Sequence, residues 1–280
     1  MKKIAVVGAE ESIGHEVLSF LADGAYPAEN IIALEPRAPL GTQVSYGEDD
    51  EIDVLNLDEY DFSGIDIAVF AAGEEISKRF VKKALDKGAR VIDCSSCFFS
   101  DSDVPMIIAG VNDAKLQEAK RGLVSVPSAA VTQILLPLVS VDKKYNIERM
   151  VVSTYTSASI YGKDGMDELF AQTRKIFMNE SLADNQKVFE KQIAFNAIPQ
   201  VEEFIGDETK YEWSINAETK KVLGRDIKVH ANCAVIPAFV GSAAYVNVEC
   251  AEDVDVDDVA ALMKQTKDVI VFDSLELGHI

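Results

Sequence analysis

Four apolar residues in a row, Ile4-Ala5-Val6-Val7, stopped by Gly8, constrain this chain more than any other stretch. A strand that alternates apolar and polar residues can leave one face in water. A short run that is apolar at every position has to be buried on both faces, which is the pattern of a parallel strand inside an α/β sheet. Ile13, Val17, Leu18 and Leu21 follow at helical spacing, and a second strand is predicted at Ile31-Ile32-Ala33-Leu34. Further apolar runs at Ile65 to Phe70, Val91-Ile92 and Met106-Ile107-Ile108 alternate with a helical stretch from Ser77 to Asp86. The first part of the chain therefore predicts repeated βα units on one parallel sheet, a Rossmann-like N-terminal domain.

The rest has a different texture. Met150 to Tyr155, Asp226 to His230 and Ala243 to Cys250 read as strands, and Asp164 to Asn179 as an amphipathic helix. Such a mixture predicts an α+β domain whose sheet keeps one face free for a partner. At 280 residues two domains are expected, divided at the Pro127 junction into 1–126 and 127–280. Lys plus Arg is 27 against 47 for Asp plus Glu, a net charge of −20 that repels nucleic acid and anionic membrane surfaces. No apolar stretch reaches membrane-spanning length, and Met1-Lys2-Lys3 runs straight into a strand, so a cytoplasmic protein is expected. Its four cysteines suit a reducing compartment better than a disulfide framework.

Gly8-Ala9-Glu10-Glu11-Ser12-Ile13-Gly14 lies between the first strand and the first helix, where dinucleotide-binding folds carry a glycine-rich phosphate loop. Gly8 permits the tight turn and Gly14 lets helix and strand approach. Glu11 stands where a middle glycine would admit pyrophosphate to the backbone. Two carboxylates at a helix N-terminus stabilise the helix dipole and oppose a phosphate at the same spot. Glu35, 21 residues past Gly14, stands where an acidic side chain reads a ribose hydroxyl, and Arg37 where a cation meets a 2′-phosphate.

Several segments carry a resemblance to one family. Phe70-Ala71-Ala72-Gly73 resembles Phe-Ser-Ala-Gly, a cofactor-contacting turn; Val91 to Phe98 resembles Val-Ile-Asp-Asn-Ser-Ser-Ala-Phe; and Phe195 to Pro199 resembles Phe-Asn-Val-Ile-Pro. Asp103-Val104-Pro105, Val111-Asn112, Glu218-Thr219-Lys220-Lys221 and Pro237 to Gly241 complete a series in order over essentially the whole chain. On these residues the chain resembles the aspartate-semialdehyde dehydrogenase family, and within it the cysteine-less paralogues. The resemblance implies a Rossmann-like domain followed by a dimerisation domain, a homodimer, and NADP as cofactor, since Arg37 to Gly41 is similar to Arg-Ser-Ala-Gly. Gly8, Gly14, Arg37 and Gly73 are then the cofactor-binding candidates, with NADP affinity expected to be weak or lost because of Glu10 and Glu11.

The same resemblance implies missing chemistry. Val126-Pro127-Ser128-Ala129-Ala130-Val131-Thr132-Gln133 aligns with a motif of the type Asn-Pro-Asn-Cys, so Ala129 stands at the nucleophile position. Thr156 stands for the orienting glutamine, Ser242 for the acid/base histidine, and Phe99 and Val235 for two anion-binding arginines. Glu212 matches a substrate-contacting glutamate, while Ser214 replaces the lysine near it. Members of the family continue beyond the position of Leu277 into an Ala-Asp-Asn-Leu-Arg-Lys-Gly-Ala segment bordering the cofactor, and no such text precedes Ile280. The expected function is therefore that of a catalytically inactive homologue. One alternative is an active NAD(P)-dependent oxidoreductase on an aldehyde or acyl phosphate of amino-acid biosynthesis, its chemistry moved to Cys94 or Cys97, since C-x-x-C spacing lowers thiol pKa in redox proteins. Another is a sensor that binds a small-molecule ligand of unknown identity. Cys233 and Cys250 read as core thiols, and His15, His230 and His279 are scattered, so no metal is expected. The aspartates from Asp253 to Asp258 read as a solvated helix start.

Overall fold

The computed structural model describes residues 1–48, 50–182 and 187–272; His279 and the chain end beyond Leu277 lie outside the described residues. Contacts divide the chain into two compact units. Unit 1 holds Met1–Ile107, Ala114–Pro127 and Tyr161–Met166, and unit 2 holds Ile108–Asp113, Ser128–Ile160 and Asp167–Ile280. The units thus interleave where a single cut at residue 126 would not, and a hydrogen bond from Asn112 Nδ2 to the Val222 carbonyl (3.0 Å) is one tie that holds Ile108–Asp113 in unit 2.

Unit 1 is built on strands β1 (Ile4–Val7), β2 (Ile31–Glu35), β3 (Gln43–Tyr46), β4 (Asp50–Asn56), β5 (Ile67–Phe70), β6 (Arg90–Asp93) and β7 (Leu123–Ser125), with helices α1 (Ser12–Asp23) and α2 (Glu74–Asp86). They form one seven-stranded sheet, β3-β4-β2-β1-β5-β6-β7. All neighbours are parallel except β3 and β4. The predicted two-sided burial of β1 follows from two cores: Ala5 and Val7 pack with Leu34, Phe62, Phe70 and Phe80, while Ile4 and Val6 pack with Leu18, Ile31 and Val54 on the other side. Strand order reverses at β1, between β2 and β5, which makes its carboxyl end a topological switch point. In α2, Ser77, Phe80, Val81 and Ala84 form the buried stripe at three- and four-residue spacing, and Glu74 and Glu75 complement the dipole of its first turn.

Ile13, placed on the apolar face of α1, is 49% exposed, because Gly14 and Leu18 take the buried positions. Met106-Ile107-Ile108 is not a strand; only Met106 bridges, to Ser125. The preceding Pro105 carbonyl accepts from Ser125 and the Ser125 carbonyl accepts from Ile107 before the chain turns at Gly110. β3 and β4 were not predicted, although Val44, Tyr46, Ile52 and Val54 alternate inward with exposed or half-buried residues between them, as a half-buried hairpin requires.

Unit 2 contains α3 (Ala129–Tyr145), β8 (Ile147–Thr156), α4 (Gly162–Phe177, from Asp167 on), a ribbon of β9 (Phe204–Ile205) and β10 (Glu208–Thr209), α5 (Lys210–Leu223), β11 (Lys228–Val235), β12 (Ala243–Cys250) and α6 (Val256–Lys264). The sheet order is β11-β8-β12, with β11 parallel and β12 antiparallel to β8. Helices α3 and α5 cover one face, and α6 packs on α3. Asp255 caps α6 by accepting from the amides of Asp257 and Asp258, so the acidic run is a helix start. His230 lies within β11 and does not end a strand. The uncovered face presents Lys228, His230 and Asn232 from β11, Tyr155 from β8, and Ala243, Tyr245, Asn247 and Glu249 from β12. One face is free, as expected, and it is mixed in polarity.

Candidate functional site

The switch point in unit 1 begins with Gly8, whose φ of +89° and surroundings both require glycine: a Cβ there would lie 2.7 Å from the Ala72 amide nitrogen. A Cβ on Gly14 would lie 1.8 Å from the Gly8 carbonyl oxygen, so close helix-to-strand packing explains that position as well. Gly73 is exposed at the N-cap of α2, with φ +82°. The loop amides then go to acceptors of the chain itself. Gly8 and Ala9 donate to the Leu34 carbonyl (2.9 and 3.4 Å), and Glu11 donates to the Gly8 carbonyl (3.1 Å). Glu10 donates to Glu35 Oε1 at 2.6 Å. Glu35, expected to face a ribose, is therefore turned inward and only 8% exposed. Burial pushes its carboxyl above the usual range; the Glu10 amide pulls it back, and Glu11 and Glu10 add like charge. Glu10, Glu11 and Arg37 are exposed, and the Arg37 amide donates to Asn56 Oδ1 (3.2 Å).

The carboxyl end of β6 carries a second polar group. Asp93 is fully buried and accepts from Ser77 Oγ (2.6 Å) and Ser95 Oγ (2.9 Å). Burial raises its carboxyl despite these two hydroxyls. The neighbouring thiols move the wrong way for redox chemistry: burial pushes Cys94 up to about 11, and Cys97 is raised by burial and by Asp93, with Lys78 opposing. Phe99, which the resemblance sets against the first anion-binding arginine, is half-buried just beyond.

Unit 2 gathers the remaining candidate positions. Ala129 is the first residue of α3, exposed, next to the N-cap Ser128. Four residues on, Gln133 Nε2 donates to the Ser242 carbonyl oxygen (2.8 Å), tying the start of α3 to the segment that enters β12. Parallel pairing sets Thr156 opposite Val235, both buried. Tyr211 shares a hydrogen bond with Thr156 and is itself buried, which raises its phenol well above the ordinary value. Glu212 uses one oxygen for its capping box, accepting from the Thr209 amide (2.8 Å), and the other for the Cys233 amide (2.9 Å). The fold thus spends on backbone amides a carboxylate that the resemblance assigned to substrate. Cys233 is a buried strand thiol pushed up to about 11, mainly by burial.

Glu218, which sequence reasoning names within a family match and gives no role, organises this region. Glu218 is buried, and its Oε2 accepts from both the amide (2.9 Å) and the hydroxyl (2.7 Å) of Ser128. It fastens α5 to the residue preceding Ala129. Its signal was a glutamate three residues after Ile215, on the apolar stripe of an otherwise ordinary helix.

Two family models match the chain: "Semialdehyde dehydrogenase, NAD binding domain" over residues 3–119, and "Semialdehyde dehydrogenase, dimerisation domain" over residues 135–277. The aspartate-semialdehyde dehydrogenase of Rickettsia bellii is 36% identical over 270 residues, 96% of this chain and 79% of that protein. That of Legionella pneumophila is 32% identical over 275 residues, 97% of this chain and 78% of that protein. Among solved structures, aspartate semialdehyde dehydrogenase II from Vibrio cholerae, complexed with ASA, superposes with a TM-score of 0.91 at 32% identity, covering 95% of this chain and 80% of its own. The Candida albicans aspartate semialdehyde dehydrogenase with NADP is similar in fold alone, with a TM-score of 0.66 at 17% identity and coverage of 95% and 76%. With both halves of the chain matched and relatives covered over most of their length, the chain belongs to the aspartate-semialdehyde dehydrogenase family.

Proposed function

We propose that this chain keeps the architecture of its family and has lost the dehydrogenase chemistry. The observation that carries the reading is Ala129 at the first position of α3. A methyl group has no lone pair to add to an aldehyde, so no covalent intermediate forms there. The neighbouring positions offer no substitute. Thr156 and Val235 are buried, neither replaces an orienting amide or a guanidinium, and Ser242 lacks a group that titrates near neutral pH. Cys94 and Cys97 are poor replacements, because thiols raised above their ordinary pKa hold little thiolate at neutral pH.

The residues of the switch-point loop do not fit NADP. The amides from Gly8 to Glu11 are committed internally, and two exposed carboxylates flank the first turn of α1. We assign residues 1–126 to the former dinucleotide-binding half and 127–280 to a dimerisation half, apart from Ile108–Asp113 and Tyr161–Met166, which each pack in the other unit, and the uncovered face of the β11-β8-β12 sheet supports a homodimer. A cytoplasmic location agrees with four free cysteines. Among the described residues no helix is long and apolar enough to cross a membrane.

The test is an assay of the purified chain with aspartate semialdehyde, phosphate and NADP. The expected rate equals the blank, and Ala129→Cys alone is expected to stay inactive because the other groups are still absent. Turnover that disappears on denaturation would overturn the proposal.

A further inference from the structure

Glu35 closes β2 and lies beside the loop that follows β1, since Val7 pairs with Leu34 and the Gly8 and Ala9 amides reach the Leu34 carbonyl. At 8% exposure its carboxylate gives up most of its water, and its Oε1 accepts the Glu10 amide at 2.6 Å. A carboxylate oxygen held by a backbone amide at the switch point does what a nucleotide oxygen would do there. The end of β2 is also where this class of fold reads the adenosine ribose.

We propose that Glu35 is the specificity-determining residue that closes the loop to dinucleotides, its carboxylate acting as a built-in anion in the place of the ribose and phosphate oxygens. This rests on the reading that cofactor affinity is lost, and it names the residue responsible. The rival agents, Glu10 and Glu11, are exposed, and water and salt screen them over about 8 Å. Glu35 is buried against the loop itself and bonded to the Glu10 amide. Arg37, two residues on and exposed, remains free to meet a 2′-phosphate once Glu35 is removed, so the gain should be larger for NADP than for NAD.

The experiment is titration calorimetry of NADP and of NAD against the full chain and against Glu35→Ser, Glu35→Gln and Glu11→Gly, with circular dichroism to confirm folding. Wild type is expected to bind weakly or not at all. Glu35→Ser is expected to gain about tenfold or more for NADP and less for NAD, while Glu11→Gly gains less than Glu35→Ser. If the serine variant does not fold, Glu35→Gln keeps the volume and one acceptor while removing the charge, and a severalfold gain for NADP is expected. No gain in any folded Glu35 variant, or a larger gain from Glu11→Gly, overturns the assignment and leaves the loss of affinity standing. Micromolar NADP binding by the wild type overturns both.

Discussion

Glu218 shows how one side chain sets a pH response. Burial is the main cause of its raised carboxyl, and the two bonds from Ser128 offset only part of it. A carboxyl whose folded pKa lies above its ordinary 4.5 contributes stability that is complete below 4.5 and is lost as pH rises through the folded value. Glu35 and Asp93 have the same sign. Melting temperature is therefore expected to rise as pH is lowered from neutral toward 4.5. It should fall again only when exposed pairs with lowered carboxyls, such as Asp258 with Lys144, are protonated. Glu218→Gln can keep both Ser128 bonds on its amide oxygen without the charge. It is expected to stabilise at neutral pH and to have little effect near pH 4.5, as read by calorimetry at the two values. A variant that is equally destabilised at both would show that Glu218 carries no desolvated charge.

At the scale of elements, α4 acts as a clamp as well as an amphipathic helix. Glu168 accepts the amides of Lys187 (2.8 Å), Val188 (2.6 Å) and Phe189 (3.4 Å), and Gln172, one turn on, accepts those of Ile193 (2.9 Å) and Ala194 (3.2 Å). The two side chains join each other at 2.9 Å. A segment without strands or helices is thereby held so that Phe189, Ile193 and Ala194 are buried. Glu168→Ala strips the acceptor from three amides and is expected to cost about 3 kcal/mol. Urea unfolding followed by Trp213, the single tryptophan and a residue of α5, reads this directly. A loss below about 1 kcal/mol would mean that water replaces the carboxylate at little cost.

For the molecule as a whole, assembly decides whether the open sheet of unit 2 is a surface or an interface. Tyr155 and Tyr245 meet edge to face across β8 and β12, with ring centroids 5.9 Å apart, and Tyr245 is 74% exposed. Large exposed aromatic side chains are the usual anchors of an interface. The charge of −20 opposes association at a distance, but screening over about 8 Å leaves contact burial to decide. An obligate interface would bury on the order of 2,000 Å² or more. Light scattering at low micromolar concentration is expected to give twice the 30.6 kDa chain mass, and Tyr245→Arg to shift the balance toward monomer. A wild-type mass near 30.6 kDa, unchanged on concentrating, would rule out the dimer.

The legible part of this protein is the part written in short range or in residue identity. Ile4 to Val7 with Gly8 specified a two-sided strand and a turn, because burial of every side chain in a run leaves few other solutions. The absence of cysteine at position 129 and of histidine at position 242 needed no structure, since a functional group is either encoded or missing. Pairings across long sequence separations were not legible. Nothing local in Glu35 shows that it will meet an amide 25 residues away, and nothing in Glu218 points to Ser128, 90 residues distant. Glu212 resembles a substrate residue, and nothing local shows that its oxygens also meet the amides of Thr209 and Cys233. The sequence determined which groups exist and the period of the elements that carry them; only the tertiary structure decided which carboxylates are buried and whose amides they hold, because that choice depends on contacts formed after the elements have packed.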